Sequence, residues 1–152
     1  MKKLFYSMFA VLALSLSFTA CGSDDDNAST PYSNNPAQAA AGTYNGTWTR
    51  YQIGDESTLE TAEGSITIEA TNTYAGNVTF TSTNFSLSAT SPANISFDSD
   101  GYTFYNQLTT NPIESKFAGK ISQGENVAVS FIKSQRVGRK LYEFQYSFIG
   151  KK

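Results

Sequence analysis

Toward the C-terminus of this 152-residue chain, Tyr142, Phe144, Tyr146 and Phe148 share one parity while Glu143, Gln145 and Ser147 take the other. A period of two turns one set toward a core and the other toward water, which is the pattern of a half-buried β-strand. The same alternation recurs in Ile66 and Ile68, Val78 and Phe80, Phe85 and Leu87, Ile95 and Phe97, Tyr102 and Phe104, Phe117 and Ile121 around Gly119, and Val127, Val129 and Phe131. With an opening strand over Thr43 to Thr49, this predicts eight or nine short strands. Turn-forming residues separate them at Gly54-Asp55, Ala75-Gly76-Asn77, Ser91-Pro92-Ala93-Asn94, Asp98-Ser99-Asp100-Gly101, Gln123 to Asn126 and Arg136 to Gly138. Hairpins this close leave no room for helical crossovers. The strands are therefore expected to run up and down and to remove their free edges by closing into a barrel.

Composition agrees with an all-β class. The chain holds 9 Tyr and 11 Phe, and Ser and Thr are abundant where helix formers are sparse. Residues 42–152 are the right length for one domain with one core. Upstream, Asn27 to Ala41 shows no hydrophobic period and is rich in Ser, Asn, Pro and Ala, so residues 21–41 read as a flexible tether.

The first twenty residues differ from both. Lys2 and Lys3 precede an apolar run from Phe9 to Phe18, and Thr19 and Ala20 lead into Cys21, the only cysteine. The run is too short for a membrane-spanning helix of about 20 residues and ends at a small-residue processing site, which predicts a signal peptide. Phe18-Thr19-Ala20-Cys21 resembles the lipobox of bacterial lipoproteins, with Phe18 replacing the usual aliphatic residue, a looseness seen among Bacteroidetes. The resemblance implies that Cys21 carries lipid as the mature N-terminus and anchors the chain to the outer membrane. Acyl chains contribute about 0.8 kcal/mol per buried methylene, so two or three on one residue hold firmly. Asp24, Asp25 and Asp26 then either resemble the acidic export signal of outward-facing lipoproteins or serve as a solvated spacer.

Within the first strand, Gly46-x-Trp48 resembles the Gly-x-Trp element of the lipocalins and the wider calycin group. The resemblance implies a small up-and-down barrel of about eight strands, its tryptophan plugging the closed end beneath an arginine. Arg139, heading the last strand, is the expected partner, with Arg136 and Arg50 as alternatives; such a stack is worth about 1–2 kcal/mol. The expected inward set, Trp48 and Tyr44 with the phenylalanines, either fills the lumen or leaves a small apolar cavity. Tyr102, Tyr142 and Tyr146 are the candidates to contact a ligand at its mouth.

Chemistry is defined mostly by absence. With no histidine and Cys21 assigned to lipid, neither a Ser-His-Asp nor a Cys-His arrangement is available, and no paired catalytic carboxylates or metal set stand out. No enzyme activity and no cofactor are expected. Charge is uneven: Tyr51 to Ser115 carries eight acidic and no basic residues, whereas Lys116 to Lys152 carries eight basic and two acidic. The mature chain remains acidic, which argues against a nucleic-acid partner. The expectation is a binding module for a small apolar or glycan ligand at the outer membrane; the alternative is an interaction subunit of an envelope complex with a filled barrel.

Overall fold

The computed structural model describes residues 34–98, 100–106, 117–122 and 125–152. The signal segment, Cys21 and Asp24 to Asp26 lie outside the described residues. Eight antiparallel strands close into one ring in chain order. They are β1 (Gly42–Gln52), β2 (Asp55–Asn72), β3 (Ala75–Ser82), β4 (Leu87–Asp98), β5 (Gly101–Tyr105), β6 (Ala118–Ser122), β7 (Asn126–Val137) and β8 (Lys140–Lys151). The seam is β1 against β8, with Trp48 opposite Phe148 and Arg50 opposite Tyr146.

The ninth strand disappears because Ser91-Pro92-Ala93-Asn94 continues β4 instead of turning. Pro92, which lacks a backbone donor, pairs among the described residues only with β3, opposite Asn77, since the described pairing with β5 begins at Asn94. Proline is tolerated at such an unpaired margin. Phe85 likewise leaves the strand assignment: it sits in the four-residue connection after Ser82, where Ser86 takes a positive φ of 49°.

The tether ends sooner than expected. Pro36–Ala40 form a short helix, α1, capped by Asn35, whose side chain accepts from the Gln38 amide at 3.1 Å. Proline in the first turn suits a helix start, since its missing donor would be unpaired there anyway. Ala37 and Ala40 are fully buried. The Ala37 amide donates to the Thr73 carbonyl at 3.1 Å, and the Tyr44 hydroxyl donates to the Ala40 carbonyl at 2.7 Å. Alanine, small and apolar, is what lets this turn of helix seat directly on the barrel end and close it.

Inward side chains fill the ring in layers. Tyr44, Ile66, Val78 and Ile95 pack at the α1 end, and Trp48, Phe80, Phe131 and Phe148 form the next layer, all buried. Trp48 packs edge-on to Phe131 and Phe80 at centroid distances of 5.7 and 6.1 Å and tilts against Phe148 at 4.9 Å. Such contacts add about 0.5–1.5 kcal/mol each beyond the area they bury. Of the expected inward phenylalanines, Phe97 lies at the rim and is 50% exposed.

At the end opposite α1, four strands overrun the ring. β2 meets β3 only from Ser65 onward, and β7 meets β6 only as far as Ser130. Beyond those points β2, β1, β8 and β7 continue as a projecting sheet to the hairpins at Gln52/Asp55 and Val137/Lys140. Gly54 and Gly138, with φ of 89° and 63°, provide the left-handed turn positions.

Candidate functional site

The polar chemistry of the barrel interior gathers where the filled core meets the projecting sheet. Arg50 follows Trp48 by two residues, so the pleat turns it to the same inner face. Its guanidinium lies 4.6 Å from the Phe85 ring centroid and 5.5 Å from that of Phe144. Glu60, directly opposite on β2, forms an ion pair with it. Burial alone would lower the Arg50 pKa; the hydrogen bond to Tyr146 and the carboxylate of Glu60 more than offset that and hold it above its ordinary value. Beneath, Tyr146 stacks on Phe131 with centroids 5.0 Å apart and planes 7° from parallel. A cation between two rings, neutralised by a carboxylate, closes this end of the core without a bare buried charge.

The expected stack of Arg139 on Trp48 does not form. Arg139 is exposed in the two-residue turn between β7 and β8. Trp48 lies opposite Phe148, nine residues farther along, about 30 Å of strand. Arg136 is exposed on the same hairpin. Arg50, the remaining alternative, does make cation–π contacts, but on Phe85 and Phe144. Nor does Trp48 plug the closed end, which Tyr44 and α1 occupy. The Trp48 indole donates instead to the Thr81 carbonyl at 2.9 Å. Gly64 makes room for it: a Cβ there would lie 2.5 Å from the indole ring.

The three tyrosines do not share a mouth. Tyr146 is buried against Phe131, and Tyr142 lies half-buried farther out on the projection, opposite Gln135. Tyr102 is at the α1 end, opposite Phe97 and Ile121. There its charge, with that of Glu125, adds to burial in pushing the Tyr44 pKa up to about 12. Sequence reasoning weighed Arg50 only as a stack on Trp48 and missed its pairing with Glu60 and Phe85. The available signal was that Arg50 is the only basic residue between Lys3 and Lys116, and it has inward parity.

Two open depressions are formed by the described residues. One, of about 660 Å³, opens where β6 and β7 part and is lined by Tyr105, Asn106, Phe117, Ser130, Ile132 and Gln145 among others. The Phe117 amide donates to the Asn106 side-chain oxygen at 2.9 Å at its rim. The other, about 380 Å³, lies along Asn45, Gly64 and Thr81.

No family model matches the chain, and no curated protein matches it. Among solved structures it is similar to a candidate outer membrane protein of Bacteroides fragilis NCTC 9343, with a TM-score of 0.60 and 13% identity. The match covers 78% of this chain and 53% of that one, so the chain spans about half the length of the protein it resembles. At that identity the likeness is one of fold.

Proposed function

We propose that this protein is an outer-membrane lipoprotein whose filled, calycin-like barrel is an interaction module, carrying recognition on its outer surface and projecting sheet instead of in a lumen. The single observation that supports the reading most is the packed interior: Trp48, Phe80, Phe104, Phe117 and Phe148 are all at most 1% exposed, and α1 sits on one end. Each such ring contributes about 1.5–3 kcal/mol by staying buried, so opening a ligand cavity among them would oppose folding. Of the nine exposed large apolar residues among the described residues, Ile53, Leu59, Ile132, Val137 and Leu141 lie on the projection or its tips, and Tyr74, Phe97, Tyr105 and Ile149 lie elsewhere on the ring. The likeness to a Bacteroides outer membrane candidate and the lipobox-like run before Cys21 support the location.

Native mass spectrometry of the protein from its host membrane tests the reading: the barrel should fly without a small ligand and with a macromolecular partner. A stoichiometric small ligand retained inside the barrel would overturn it. The open 660 Å³ depression favours a second reading, a small-ligand site on the outer wall; a ligand lost on replacing Tyr105 and Ile132 would select that one. For the anchor, Cys21→Ser should abolish palmitate labelling and release the protein from membranes. Persistent labelling of that variant would exclude lipidation at Cys21.

A further inference from the structure

Past Ser130, β7 loses β6 as its neighbour and pairs from Phe131 to Val137 with β8 alone. Among the described residues, no strand lies on its other side. The register with β8 runs from Asn126 to Val137 without a shift, and neither proline nor bulge interrupts it. Alternate residues therefore turn their N–H and C=O groups outward over about 23 Å of chain. The opposite margin of the projection offers no such row. There the Gln52 amide donates to the Thr58 hydroxyl at 2.7 Å, Asp55 accepts from the Ser57 amide at 3.2 Å, and Glu60 is paired with Arg50. Two further features meet on the β7 edge. The depression of about 660 Å³ opens at its start, with Tyr105 and Ala118 on one side and Ile132 and Gln145 on the other. Farther along, the pleat puts Lys133 on the inner face with Phe131, and Arg136 on the outer face with Ile132. Arg139 and Lys140 follow, and Glu143, opposite Ser134, is the single acid from Phe131 to Tyr146. Cations keep an edge from pairing with its own copy. They leave it open to a chain of opposite charge.

We infer that the β7 edge takes up an extended acidic segment of another protein as an added strand, with one bulky apolar side chain of that segment seated in the depression. This rests on the interaction-module reading and names the class of its partner. In such an addition main-chain hydrogen bonds supply the affinity, and seats for alternate side chains supply the selectivity. Antiparallel addition, the geometry β7 already has with β8 and the slightly more stable of the two, gives a definite pattern. An apolar residue beside Ile132 lies toward Tyr105 and Ala118 on the outer face. The residue before it then falls beside Lys133 on the inner face, and the residue four before it falls beside Arg136 on the outer one. The incoming segment therefore reads Glu-x-x-Glu-Leu, its two acids on opposite faces and each at a cation.

The test uses the full-length protein in detergent and a labelled, threonine-rich peptide carrying the pattern Glu-x-x-Glu-Leu. Binding, read by fluorescence anisotropy, should slow hydrogen exchange at alternate amides from Ile132 to Arg136 and leave the amides of β3 unchanged. Methylating the peptide's backbone nitrogens at one alternate set of residues should abolish binding, and methylating the other set should not, because only one set faces β7. Arg136→Glu should weaken binding about tenfold, the swing from attraction to repulsion at one exposed pair. A peptide with lysine in place of its first glutamate should restore it. Tyr105→Ser should weaken the leucine peptide and leave an alanine-substituted one unaffected. Blue-shifted Trp48 emission checks that each variant is folded, with Arg136→Gln as the milder replacement. Strand addition is overturned if the acidic peptide fails to bind, if a lysine peptide of the same spacing binds the unaltered protein as well, or if neither methylated set loses binding. A macromolecular partner in the native mass spectrum that leaves exchange at Ile132 to Arg136 unchanged would sink strand addition and leave the module reading standing. A ligand retained in the lumen would sink the module reading itself.

Discussion

Single residues in this barrel act through room made for them. Trp48 was legible in the sequence as the largest side chain on an inward position. What no sequence pattern conveys is that its indole needs the Thr81 carbonyl on β3 and the empty space over Gly64, because both lie on other strands. Trp48→Ala should destabilise the protein by about 3–5 kcal/mol, as a buried aromatic truncation, read as a shift in denaturant midpoint. Gly64→Ala should be comparably harmful, since its Cβ would also lie 2.2 Å from the Thr81 backbone oxygen. At the other end Tyr44 makes a pH prediction. Its pKa is pushed up to about 12 from an ordinary 10, largely by burial. Below pH 10 the hydroxyl is neutral in both folded and unfolded chains, and its contribution is fully present. Between pH 10 and about 12 the unfolded chain ionises first and draws the equilibrium toward itself, so stability falls as pH rises through that window. Tyr44→Phe should flatten that fall while losing the bond to Ala40, about 1 kcal/mol at neutral pH. Equilibrium unfolding at pH 8, 10 and 11.5 separates the two effects.

Elements follow the sequence where alternation is clean and depart where neighbours decide. Strands β1, β7 and β8 are readable because Tyr44 and Trp48, Val127 to Phe131, and Tyr142 to Phe148 place apolar residues at alternate positions, as the pleat demands. Pro92 read as a turn because local chemistry favours one there, whereas the unpaired margin of β4 accepts it. Helix α1 was illegible because Pro36-Ala37-Gln38-Ala39-Ala40 has only a helix's propensity, not a helix's length. It forms because Asn35 caps it and the barrel end buries Ala37 and Ala40. The Arg50 cluster was illegible for a related reason: Phe85 and Glu60 come to it from two other elements. Replacing Ala37 by Asp should release α1, because a carboxylate cannot be buried at that contact without a partner. The barrel itself should stay folded on its ring pairing. The readout is the titration of Tyr44 at 295 nm, which should move from about 12 back toward 10 once water reaches the hydroxyl. An unmoved titration would mean that α1 contributes nothing to the burial of Tyr44.

At the scale of the whole molecule, closure is what joins these pieces. The seam of β1 with β8 makes every strand of the ring a neighbour of two others, and residues far apart in sequence, such as Trp48 and Phe148, become direct partners. Closure itself was legible, since repeated short hairpins leave few other ways to remove an edge. The projecting sheet was not, because strand overrun depends on where β3 and β6 stop. One consequence can be measured with the native fluorophore. Trp48 is the only tryptophan, it is fully buried, and it touches side chains from β3, β7 and β8. If packing and ring closure are one cooperative unit, its emission and the far-ultraviolet β-signal should report the same denaturant midpoint and slope. A projecting sheet that frayed first would change the β-signal while leaving Trp48 dark to acrylamide, since the projection lies beyond the layer that holds the indole. An interior that loosened first would do the reverse, with Trp48 becoming quenchable while the strands persist. The dense contacts around Trp48 favour coincidence of the two, and a Trp48 transition at clearly lower denaturant would show instead that the barrel can open without unfolding.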